Sequence, residues 1–156
     1  MSNNRNTNQG NKLRTYRIFK NDYHLEPYIS TLKFSKTRSY LAKFRLSSHK
    51  LPIETGRYNK TPINERVCPC NNTKNEVGDE KHLLLSCSFN KELRTKLFHE
   101  ISTFHTHFTE INNDDKFIFL MKTTDTNILI KICLYIENSM NQFTKHSKHE
   151  VNYQNF

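Results

Sequence analysis

Tryptophan is absent from this 156-residue chain, glycine occurs three times and proline four times. So little glycine leaves no Gly-rich phosphate loop, because such loops need residues free to turn backbone N–H groups onto phosphate. Neither a nucleophile elbow nor a carboxylate pair suited to acid–base work is visible, so an enzyme is not expected. No run of about 18 apolar residues exists, which gives no support to a membrane span. Residues 1–11, MSNNRNTNQGN, lack the apolar stretch of a secretory signal, and the chain is read as intracellular, nuclear or cytoplasmic. Apolar residues make up 35% of the chain and the mean hydropathy is -0.81. A core built from so little apolar material is expected to be thin and to need a metal or a partner.

Acidic residues are scarce where basic ones are dense. Residues 1–50 hold 11 Lys and Arg against Asp22 and Glu26 alone, whereas residues 51–156 hold 13 basic and 13 acidic residues. The net charge of +9 is therefore all N-terminal. Such asymmetry points to a polyanionic partner, nucleic acid being the commonest, with a merely solvated basic surface as the plain alternative.

The apolar pattern is helical throughout. Residues 1–11 are expected to be a disordered tail. Leu13, Tyr16, Phe19 and Tyr23 recur at three- and four-residue spacing, and a second short helix fits residues 26–32 with Pro27 in its first turn. Over residues 35–50, with Ser35 or Thr37 as cap, one face carries Tyr40, Leu41, Phe44 and Ser48, and a neighbouring stripe carries Arg38, Arg45 and His49. Two prolines and a glycine make residues 51–67 a loop with a brief strand near Pro52. A helix is expected from Asp79 and another along Phe89, Leu93, Leu97, Ile101 and Phe104. A compact run follows at 116–121, then a long helix capped by Thr124 or Asp125 with Ile128, Leu129, Ile132, Tyr135, Ile136, Met140 and Phe143 on one face. The expected organisation is a basic helical segment at 12–67, a zinc-binding turn at 68–87, helices of the same domain at 88–148 and a tail at 149–156. The fold class is all-α.

Three of the four cysteines fall within residues 68–87, CPCNNTKNEVGDEKHLLLSC. In a reducing compartment thiols bind metal more readily than they pair. Cys68, Cys70, His82 and Cys87 supply three thiolates and one imidazole, a donor set that suits tetrahedral zinc. On a regular helix His82 and Cys87 point roughly 140° apart, so the helix must end or bend near Ser86 for both to reach one ion. Four protein donors close the coordination shell, and one structural zinc per chain is expected. Two alternatives stand: four scattered residues with His82 solvated and the thiols free, or Cys133 in place of His82, although Cys133 sits beside the apolar face of the last helix and reads as a buried inert thiol.

Taken together, LAKFRLSSHKLPIETGRYNKTPINERVCPC and DEKHLLLSC resemble the segment downstream of the polymerase domain in LINE-type, non-LTR retrotransposon reverse transcriptases. The match runs through Arg45 with His49, through Glu54, Gly56 and Arg57, and through Cys68, Cys70, His82 and Cys87 with Asp79 and Glu80 ahead of the histidine. The spacing from Cys70 to His82 is longer than usual there, and the polymerase itself is missing. The only adjacent aspartates, Asp114 and Asp115, follow Asn113 and read as a helix start. The resemblance implies an accessory module that holds RNA or DNA, with little sequence preference, beside a reverse transcriptase core. From the residues, Arg38, Lys43, Arg45, His49, Lys50 and Arg57 are the expected phosphate contacts, with Arg14 or Arg17 nearby and Tyr40 or Tyr58 available to stack on a base. Each arginine has a plainer alternative in a local ion pair, Arg57 with Glu54 among them. A zinc-stabilised protein-interaction domain, or a folded relic of a retroelement, are the alternatives for the whole chain.

Overall fold

In the computed structural model, residues 12–70 and 75–153 are described, with side chains through residue 146. The expected N-terminal tail lies outside the described residues. The helices are α1 (Tyr16–Phe19), α2 (Pro27–Thr31), α3 (Ser35–Arg45), α4 (Pro52–Tyr58), α5 (Glu80–Leu85), α6 (Lys91–Ser102), α7 (Asn113–Lys122) and α8 (Thr126–Tyr153). Short 3-10 turns stand at Ile63–Glu65, Ser88–Asn90 and Thr106–Thr109. Among the described residues extended pairing is limited to one antiparallel bridge between Val67 and Val77. The chain is all-α.

The long helix α8 is the spine. Its residues Ile128, Leu129, Ile132, Tyr135, Ile136 and Phe143 are buried at the spacing that the sequence shows. Helices α2, α3 and α6 pack on it, bringing Tyr28, Leu41, Phe44, Leu97 and Ile101 into the same core. Each such side chain contributes about 1.5–3 kcal/mol through burial. Helix α7 adds Phe117, Leu120 and Met121 and packs against α5 and α1. Asn112 caps α7 by accepting from Asp115 N at 2.9 Å, and Asp125 Oδ1 accepts from Asn127 N and Ile128 N at the start of α8. Asp114 and Asp115 therefore sit in a helical first turn, where acidic side chains oppose the positive end of the dipole.

Four expectations about elements need correction. The first helix is a single turn, since Leu13 is exposed and Tyr23 lies in irregular chain beyond α1. Residues 52–58 form α4 rather than a strand in a loop: Pro52 occupies the first helical position, where its missing N–H costs nothing, and Glu54 follows in the first turn. Phe34, not Ser35 or Thr37, stands at the N-cap of α3, with no side-chain cap bond. Helix α8 continues through Tyr153, past the expected tail boundary at 149.

Candidate metal centre and the buried charge network

Cys68, Cys70, His82 and Cys87 converge. Their ligand atoms all lie within 4.8 Å of one another and all four residues are buried. Cys68 Sγ and Cys87 Sγ are 3.9 Å apart, and Cys70 Sγ is 3.3 Å from His82 Nε2. In a zinc tetrahedron these edges measure about 3.8 Å for two sulfurs and about 3.6 Å for sulfur and nitrogen. The residues present could therefore hold one metal ion. All four cysteines are free thiols.

Local structure explains the convergence. The Val67–Val77 bridge and the bond from Cys68 N to Glu76 O, 3.0 Å, turn the first two cysteines toward α5. Asp79 caps α5 by accepting from His82 N at 2.8 Å, which fixes where His82 falls on the helix. The helix ends at Leu85, and Cys87 N reaches back to His82 O at 2.8 Å. That wide closing turn removes the angular offset a continuous helix would impose, as the spacing required. Arg94 Nη1 donates to Cys87 O at 2.7 Å and Ser88 Oγ donates to Cys70 O, so the backbone of both sulfur-bearing turns is pinned.

The imidazole is oriented from behind. His82 Nδ1 donates to Glu76 Oε2 at 2.8 Å, and Ser86 Oγ donates to the same oxygen at 2.8 Å. With Nδ1 held by the carboxylate, Nε2 faces the sulfurs and, once its own proton is released, would offer a lone pair to an ion they share, the arrangement by which carboxylates orient metal-binding histidines. In the metal-free chain, burial pulls the His82 pKa down, but hydrogen bonds to Cys87, Glu76 and Cys70 outweigh it and hold it at about 9. The hydrogen bond between Cys68 and Cys87 pushes Cys68 up and Cys87 down, so the facing sulfurs share a proton until a metal takes its place. Cys133 stays apart on α8, its thiol pushed up to about 12 by burial alone.

A second cluster was not foreseen. Glu80, next to the cap of α5, is fully buried and accepts from Arg14 Nη2 (2.6 Å), Thr15 Oγ1 (2.9 Å), Ser47 Oγ (2.6 Å) and His49 Nε2 (2.8 Å). Arg14 bridges to Glu54, also buried, which accepts from Arg57 Nε at 3.0 Å. Burial would raise the Glu80 pKa, but His49, Arg14 and Ser47 outweigh it and hold the carboxyl at about 2. Arg45 is likewise internal, paired with Glu26 at 3.0 Å and laid over the rings of Phe19 and Tyr28. No periodicity marks Glu54 or Glu80 as buried; the only hint is that both belong to the stretches on which the resemblance rests.

The expected phosphate contacts thus divide. Arg45, His49 and Arg57, together with Arg14, are committed to buried carboxylates, because an unpaired Glu26, Glu54 or Glu80 inside the protein would be far costlier than a bare surface arginine. Arg38 donates to Leu32 O at 2.8 Å beyond the end of α2. Lys43 and Lys50 remain exposed, as does Arg17. Tyr58 is exposed beneath Arg57, and Tyr40 is half-buried on α3. Searches with protein-family models, among curated proteins and among solved structures find no match to this chain.

Proposed function

We propose that the chain is a zinc-braced, non-catalytic module that binds nucleic acid through its N-terminal half, of the kind found downstream of the polymerase in non-LTR retrotransposon reverse transcriptases. The observation that carries this reading is the surface left after the internal pairs form. Within residues 12–66, Lys12, Arg17, Lys33, Lys43, Lys50 and Lys60 are exposed and in no ion pair among the described residues. Against them stands one exposed acid outside an ion pair, Glu65. Buried Glu26, Glu54 and Glu80 are matched by Arg45, Arg14 and Arg57, so the internal pairs cancel and the excess cation of this half is what faces solvent. Such a surface attracts phosphate without reading bases.

Zinc is the metal this reading assigns, because three thiolates and one imidazole favour a borderline-soft ion without geometric preference. Four protein donors leave no open position, so the ion braces the fold and activates no water. Arg45, His49, Glu54, Arg57 and Glu80, on which the sequence resemblance rests, fall into two sets of internal pairs, Arg45 with Glu26, and Arg14, His49 and Arg57 with Glu54 and Glu80.

Metal analysis of the purified protein by mass spectrometry tests the brace, with one zinc per chain expected. Filter binding of single-stranded oligonucleotides tests the partner. If about four phosphates are neutralised, affinity should fall roughly 50-fold between about 50 and 200 mM salt. Indifference to nucleic acid at low salt would favour a protein-docking role instead, for which Ile130 and Leu134, exposed one turn apart on α8, offer an apolar contact.

A further inference from the structure

The two exposed lysines that survive from the expected contacts, Lys43 and Lys50, stand at the mouth of one cleft. Its walls are Tyr40 and Phe44 from α3 and Ile136 and Met140 from α8, and its lining is predominantly apolar. The cleft opens to solvent between α3 and α8, which pack on each other. One turn before Tyr40, the ion pair between Lys36 and Glu137, 3.0 Å, ties the same two helices together. Its volume is about 150 Å³, below the roughly 300 Å³ at which drug-sized ligand pockets begin. Room of that size suits one planar ring system and not an extended apolar chain.

We infer that this cleft takes one unpaired base of a single-stranded nucleic acid, stacked against Tyr40, with the flanking phosphates on Lys43 and Lys50. The inference rests on the nucleic-acid reading given above and assigns it a site. Charge complementarity selects the occupant: an apolar slot rimmed by two lysines, neither in an ion pair among the described residues, matches a base carried on a phosphodiester chain. An apolar side chain of a neutral peptide would leave both cations uncompensated. A duplex, whose bases are already stacked and paired, presents nothing for the slot to take. Ser48 lines the same rim, and its hydroxyl has no hydrogen bond among the described residues, which leaves it for a base edge. Nothing in the lining singles out a ribose hydroxyl, so RNA and DNA strands of one sequence should bind within about threefold of each other.

The test uses the full chain with its metal and a ten-nucleotide strand carrying 2-aminopurine, together with the same strand made abasic and the matching duplex. Stacking in the cleft should quench the 2-aminopurine fluorescence on binding, and the abasic strand and the duplex should each bind at least ~5-fold more weakly. Tyr40→Leu should abolish the quench. Lys43→Ala with Lys50→Ala, a surface change that leaves the core alone, should weaken binding ~10-fold and lower the salt slope by about 1.4. Binding without quench, equal for the abasic strand and undiminished in both variants, overturns the cleft and leaves the nucleic-acid reading standing. Failure of the unmodified protein to bind any strand at low salt overturns both.

Discussion

At the scale of single residues, the chemistry turns on carboxylates that have no solvent. Glu80 accepts four hydrogen bonds from two stretches of the chain, Arg14 with Thr15 and Ser47 with His49, and each donor is itself held by the carboxylate it serves. Its folded pKa of about 2 lies below the ordinary 4.5, so its contribution to stability is complete above about pH 4.5. It is lost as pH falls toward about 2, where the folded state too must take up the proton. The depression corresponds to roughly 3 kcal/mol at neutral pH. Urea midpoints measured from pH 6 to pH 2 should show this loss in the unmodified protein, and Glu80→Gln should flatten that part of the profile while lowering stability at pH 6. Arg45→Ala leaves Glu26 with Lys20 (3.0 Å) and Tyr16 OH (2.9 Å) but frees its second oxygen and removes the cation over Phe19 and Tyr28; a cost of about 1.5–3 kcal/mol is expected by chemical denaturation. Behind the metal ligands, Glu76→Gln takes the charge from His82 Nδ1. Metal affinity by competition with a chelator should drop about 10- to 100-fold with the fold retained.

At the scale of elements, close approach decides which backbone fits. Ser47, just beyond α3, has φ 53°, a conformation a non-glycine residue adopts at some cost, and its hydroxyl repays that cost by donating to Glu80. Ser48 N returns to Lys43 O at 2.7 Å and closes the end of the helix. Gly78 lies where the metal-binding turn passes α4. A Cβ there would meet Pro52 Cγ at 2.7 Å and Cys68 Cα at 3.2 Å. Gly78→Ala must therefore push α4 away from the cysteine turn, and a loss of about 1–3 kcal/mol is expected, read as a lower thermal midpoint. Gly56 faces the side chain of Arg66, which is fixed by bonds to Thr61 O and Ile53 O, so that glycine too is a packing requirement rather than a flexible point.

At the scale of the whole molecule, helical packing and ion binding are linked. The turn holding Cys68 and Cys70 packs on α4, α5 carries both His82 and Glu80, and α5 in turn meets α7. Removing the metal should therefore loosen more than the turn. Chelation is expected to lower the melting temperature and to broaden the unfolding transition, recovered on adding one equivalent of zinc. His82→Ala should lose the metal by mass spectrometry, whereas Cys133→Ala should keep it, since Cys133 lies in the α8 core away from the other sulfurs.

The helical class, the spine and the metal donors follow from the sequence alone, because each depends on local spacing. The 3.6-residue period of Ile128 through Phe143 fixes the buried face of α8, and Cys68, Cys70, His82 and Cys87 are the chemistry of their side chains wherever the chain takes them. The 140° offset between His82 and Cys87 even required the helix end found at Leu85. What only the tertiary structure decided is the fate of the charges. An arginine on a polar stripe looks the same whether it meets phosphate or a buried glutamate. The choice for Arg14 and Arg45 was made by carboxylates up to 66 residues away, through contacts that no local pattern encodes, whereas the pairing of Arg57 with Glu54, three residues before it, is legible in the sequence. Burial then made those pairings binding, since a charge inside protein must be answered by another while a charge at the surface has water.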